Sequence, residues 1–136
     1  MFYLYNLQIW GIEGFMNHVE SIEAFYQRRR DIMLEAANKH LTGLVTWSVP
    51  DGGMFLWMQV PQVTDTWDML LKRGLSKNIM LLPGHAFMPK NAAEKSGGKN
   101  VNHMRAAFSV ASESDFDVAF ERLADLIREE QDNQKK

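Results

Sequence analysis

The chain of 136 residues contains no cysteine. That absence excludes a disulfide framework, a cysteine-ligated zinc and a thiol nucleophile, and it is compatible with a reducing compartment. Positive charge is not in excess: 15 Lys and Arg against 17 Asp and Glu give a formal net charge of −2. An electrostatic nucleic-acid binder needs a marked basic surplus, so nucleic acid is set aside as a partner. No run approaches the roughly 20 apolar residues that cross a bilayer, which sets aside a membrane as well. The aromatic-rich opening, residues 1–10, lacks the basic start and cleavage site of a secretory signal and the Arg and Ser of a transit peptide. It reads as chain that packs on something, including a surface this polypeptide does not itself supply. No GxSxG elbow, P-loop, GxGxxG or HExxH motif occurs.

What is present suits one globular domain: 46% hydrophobic and 24% charged residues, in a length that can bury a core. Ile12, Phe15, Met16, Val19, Ile22, Tyr26, Met33, Ala36 and Ala37 recur at helical steps, predicting a helix over 12–40. The run Arg28-Arg29-Arg30 lies among Glu23, Asp31 and Glu35 and reads as a solvated helix face. A β-prone segment at 46–49, the turn Pro50-Asp51-Gly52-Gly53 and an apolar strand at 54–60 predict an antiparallel hairpin. Residues 64–77 read as an amphipathic helix with Trp67, Leu70, Leu71 and Leu75 on one face, stopped by Asn78. A strand at 79–82 leads into the irregular Pro83-Gly84 stretch, and 90–100 reads as an exposed, mobile loop. A strand at 104–109 and a helix from 113 to about 131 follow, with Phe116, Ala119, Phe120, Leu123 and Ile127 as its stripe and Ser112 as its N-cap. The expected fold class is α+β: a small three- to four-stranded sheet, mixed or antiparallel, covered by helices.

Chemistry is sparse. Four histidines form no ligand pair; His85, in the Pro-Gly loop, is the best placed for function, though a loop histidine is more often structural or solvent-exposed. No lysine sits in the apolar, strand-end setting that lowers an amine's pKa for imine chemistry. Arg105 stands apart. It lies inside the strand-like run Met104-Arg105-Ala106-Ala107-Phe108-Ser109, where a guanidinium is costly to desolvate unless an anion meets it. Its planar fork pairs two-pronged with a carboxylate. The structural alternative is a strand-edge arginine that snorkels to water or pairs with an Asp or Glu of the chain.

From Trp10 nearly to the C-terminus the chain resembles a known family. The segments that carry the likeness are Trp10-Gly11-Ile12-Glu13-Gly14-Phe15-Met16-Asn17-His18-Val19, Leu41-Thr42-Gly43-Leu44 and Pro50-Asp51-Gly52-Gly53-Met54-Phe55-Leu56-Trp57, then Leu82-Pro83-Gly84-His85-Ala86-Phe87 and the strand of Arg105. In this order and spacing they resemble the C-terminal small domain of class I aminotransferases of PLP fold type I, most of all the kynurenine/α-aminoadipate group. The resemblance implies residues 10–132 as that domain, a divergent lead-in at 1–9 and a polar tail at 133–136.

It further implies that Arg105 grips the α-carboxylate of an amino-acid or 2-oxo-acid substrate, with Phe55, Gly84 and Phe87 lining the pocket. Pyridoxal 5'-phosphate is the implied cofactor, but the family's Schiff-base lysine and phosphate site belong to a large domain with no counterpart here. The chain is therefore expected to be a fragment, truncated product or isoform that does not transaminate alone. A full-length aminotransferase subunit is the implied macromolecular partner. The alternative is a non-catalytic binding or interaction module derived from an aminotransferase. The resemblance leaves both mitochondria and cytoplasm open as the compartment.

Overall fold

Helix α1 (Phe2–Leu41) opens the computed structural model, which describes residues 2–89 and 101–135. The aromatic lead-in is thus helical, and two helical pieces meet at Gly11, whose φ of 68° and ψ of 177° break the helical path. That backbone region is open to glycine and strained for residues with a Cβ, so the bend falls there. Of the predicted stripe, Met33, Ala36 and Ala37 are buried, together with Leu41, whereas Ile12, Met16 and Ile22 are exposed. Among the described residues of α1, the buried ones lie between Arg29 and Leu41.

Strand β1 (Thr46–Trp47) and strand β2 (Phe55–Gln59) form the expected antiparallel hairpin across the Pro50–Gly53 turn. Helix α2 (Thr66–Asp68) runs on into a π-helical turn, Met69–Gly74, and a 3-10 turn, Leu75–Lys77. Asn78 takes a left-handed conformation and ends it, as the sequence predicts. The predicted face is buried only at Leu70. Thr66, Met69, Leu70 and Gly74 point inward, and Trp67, Leu71 and Leu75 are exposed. A π turn is wider than an α turn and rotates the positions that follow it, which defeats a count made at 3.6 residues per turn.

The strand expected at 79–82 is shorter and later, β3 (Leu82–Pro83), and passes straight into a 3-10 turn, Gly84–Phe87. Strand β4 is His103–Ala107, and helix α3 is Glu113–Gln134, running past the predicted end at 131. The Ser112 N–H donates to the Asp115 carboxylate at 3.2 Å, so Ser112 sits at the helix start as predicted. The loop expected at 90–100 lies outside the described residues.

The four strands form one fully antiparallel sheet in the order β1-β2-β4-β3. Strand alternation divides it into two unlike faces. Leu56 pairs with Ala106 and Met58 with Met104, and all four are buried in one core with Met33, Ala37 and Leu41 of α1 and Phe120, Leu123 and Ile127 of α3. Helices α1 and α3 therefore cover this face. The other face presents Phe55, Trp57, His103 and Arg105, none of them fully buried.

Arg29 corrects the reading of the arginine run as a solvated face. Only 8% of it is exposed; its Nε donates to the carbonyl of Phe108 and its Nη2 to that of Ala111, and its guanidinium lies over the rings of Phe25 and Phe116. Arg28 makes a two-pronged contact with Glu113 at 3.1 and 3.2 Å, and Arg30 pairs with Asp31. One arginine in three thus satisfies the backbone between β4 and α3, a demand no charge pattern reveals.

Candidate functional site

Register decides where Arg105 stands. On β4 it lies directly opposite Trp57 of β2 on one side and Leu82 of β3 on the other, in the middle of the open face. Its Cζ is 3.8 Å from the centroid of the Phe55 ring and 4.5 Å from that of Phe87. Such contacts stabilise a cation by about 0.5–2 kcal/mol each and use its flat π surface, leaving the in-plane N–H groups for another partner. No carboxylate among the described residues supplies that partner. Arg28, Arg30, Arg73 and Arg128 pair with acids, and Arg29 and Arg122 donate to carbonyls. Among the described residues, Arg105 alone of the arginines makes no hydrogen bond or ion pair. Among the described residues, therefore, no Asp or Glu is paired with it.

The aromatic surround is continuous. Trp57 meets Phe87 edge to face at 5.4 Å and stacks on His103 at 5.6 Å. Sequence reasoning nominated Phe55 and passed over Trp57 and His103. The signal was there, because Phe55 and Trp57 are two apart on one strand and share its face, as do His103 and Arg105.

Gly84 is placed by close approach. A Cβ built on it would fall 2.7 Å from Val101 Cγ1 and 2.9 Å from the carbonyl oxygen of His103. With only hydrogen there, the turn can press on β4 and carry Phe87 back over the guanidinium. Trp57, Gly84, Phe87 and His103 also line a shallow pocket of about 310 Å³ beside Arg105. A larger hollow of about 540 Å³ lies elsewhere, between α1 and the turn at Pro50–Gly53, and holds none of Arg105, Phe55, Gly84 or Phe87.

His85 faces away from this cluster. Its Nδ1 is 3.7 Å from Asp65 Oδ1 and its ring meets Trp67 edge to face, so it joins the 84–87 turn to α2. Its structural reading suffices.

A pyridoxal phosphate site needs an amine free to form an imine. Each described lysine is ion-paired: Lys39 with Asp117, Lys72 with Asp68, Lys77 with Glu129 and Lys135 with Asp132. Among the described residues no cluster of His, Asp and Glu could hold a metal, and no helix is long and apolar enough to cross a membrane.

Comparison with known proteins gives this face a context. No family model matches the chain. It is 40% identical over 123 residues to the mitochondrial kynurenine/alpha-aminoadipate aminotransferase of Mus musculus, covering 90% of this chain and 28% of that protein. Among solved structures it resembles the kynurenine aminotransferase of Pyrococcus horikoshii, solved in complex with PMP, with TM-score 0.73 and 36% identity over 85% of this chain and 26% of that one. A multiple substrate aminotransferase from Thermococcus profundus matches with TM-score 0.74 and 33% identity, over 86% of this chain and 27% of the other. The chain thus spans about a quarter of the length of these relatives. By sequence and by fold the chain is similar to aminotransferases, those of the kynurenine/alpha-aminoadipate group among them, over about a quarter of their length.

Proposed function

We propose that the open sheet face is the substrate-carboxylate wall of an aminotransferase, with Arg105 holding the α-carboxylate of an amino acid or 2-oxo acid. Phe55 and Phe87 flank the guanidinium and exclude water, which strengthens the ion pair formed there. Gly84 lets the turn bearing Phe87 reach its place. The supporting observation is the guanidinium itself, ring-flanked and without an acidic partner among the described residues. Kynurenine and 2-aminoadipate are the substrates to test first, since the mouse relative carries both in its name.

In this reading the chain's share of the reaction is to bind and orient. The carboxylate fixed on Arg105 sets the direction in which the substrate's Cα presents its hydrogen. Pyridoxal phosphate, which supplies the electron sink in this class of enzyme, would be held by a full-length aminotransferase subunit beside this chain. The ion-paired lysines also favour a second reading, a carboxylate-binding module with no chemistry of its own.

Titrating the chain with kynurenine, in the wild type and in Arg105→Lys and Arg105→Gln, tests the assignment. Lys keeps the charge and loses the fork, so affinity should fall about tenfold, the loss of one charge-assisted hydrogen bond. Gln should abolish binding. Equal affinity in all three would remove Arg105 from the site. Mixing the chain with a full-length aminotransferase subunit separates the two readings: co-elution of the two supports assembly, and kynurenine binding by a chain that never co-elutes supports the module.

A further inference from the structure

Strand β4 is held at both ends by buried polar side chains. Arg29 holds the backbone that leaves it, through the carbonyls of Phe108 and Ala111. The other end rests on Thr66, which is fully buried in the first turn of α2. Its hydroxyl is 2.7 Å from the carbonyl oxygen of His103 and 3.0 Å from that of Val101, and its N–H donates to Val101 O at 3.0 Å. The Val60 N–H completes this grip by donating to Asn102 O at 2.8 Å. The three residues that lead into the Arg105 strand are therefore fixed from one side by α2 and from the other by the end of β2.

The same turn of α2 also reaches the support of Phe87. Asp65 caps the turn through the Trp67 N–H at 2.8 Å, lies 3.7 Å from His85, and Trp67 meets the His85 ring. Gly84, next to His85, packs against the His103 carbonyl that Thr66 binds. One buried hydroxyl thus stands where the support of Arg105 and the support of Phe87 meet. A strand free to slip by one residue would send Arg105 to the core face, so an anchor at its first residue has a direct consequence for the guanidinium.

We infer that Thr66 is a positioning residue for Arg105: its hydroxyl holds the start of β4 so that the guanidinium lies against Phe55 and Phe87 with its donors directed at the ligand. This rests on the carboxylate-binding reading above for its function, though its geometry can be measured separately.

The test uses the full chain, with Thr66→Val removing the hydroxyl at nearly constant shape and Thr66→Ser retaining it. Two readouts are needed. The first is the Arg105 Nε–Hε resonance in an NMR spectrum, which ring currents from Phe55 and Phe87 displace when the guanidinium lies over them. The second is kynurenine affinity. Thr66→Val should move that resonance toward its solvent-exposed position and weaken binding about tenfold, the loss expected of one misdirected charge-assisted hydrogen bond. Thr66→Ser should restore both. An unchanged Arg105 resonance in a folded Thr66→Val chain overturns the inference, as does failure of Thr66→Ser to restore it. A resonance that moves in a chain whose wild type binds no kynurenine upholds the positioning role and overturns the carboxylate reading instead.

Discussion

Asp117 on α3 is where the last turn of α1 meets the second helix of the covering layer. Lys39 Nζ donates to its two oxygens at 2.9 and 3.0 Å, and His40 Nε2 lies 2.9 Å from one of them. The hydrogen bond from Lys39, followed by that from His40, holds the Asp117 carboxyl below the usual carboxylate range. A carboxyl with a depressed folded pKa contributes stability above its unfolded pKa and loses it as pH falls through the folded value. The thermal midpoint of the wild type should therefore drop more steeply on acidification through the carboxylate range than that of Asp117→Asn. Parallel curves for the two proteins would show that the pair contributes nothing.

Gly84 shows how one residue type serves an element. Gly84→Ala would press a methyl group against the His103 carbonyl, a backbone atom that cannot swing aside. Overpacking of this kind costs about 1–3 kcal/mol, and urea unfolding of the variant should show a loss in that range. The turn must also lift, so the ring-current displacement at Arg105 should shrink. Full stability with an unchanged Arg105 resonance would contradict the close approach of turn and strand.

The elements differ in how much of them the sequence discloses. The Pro50–Gly53 turn, the alternation of Phe55, Leu56, Trp57 and Met58, and the Phe116–Ile127 stripe are local patterns, and hairpin and helix follow from them. The π turn that follows α2 has no local signature, so Leu71 and Leu75, assigned inward, are exposed. Arg29 and Thr66 act on carbonyls 79 and 37 residues away, at Phe108 and His103. Such partners exist only once the fold is assembled. Arg105, Phe55, Gly84 and Phe87 were nominated through ordered motifs, and the structure brings these four together on the open face. It adds Trp57 and His103 to them.

At the scale of the molecule, the helices are spent on one side of the sheet. On α1, Ile9, Ile12 and Met16 are exposed, and on the sheet Phe55 and Trp57 are exposed as well. A cation stands at the centre of an aromatic face, and every other described arginine is already bonded. The relatives this chain matches are about four times its length. The central claim is that this surface recognises the carboxylate itself and not the side chain attached to it. The most direct measurement compares the dissociation constants of kynurenine and of kynuramine, the same molecule with hydrogen in place of the carboxylate, on the full chain. Saturable binding of kynurenine with no measurable binding of kynuramine is the expected result; equal affinity for the two would contradict it.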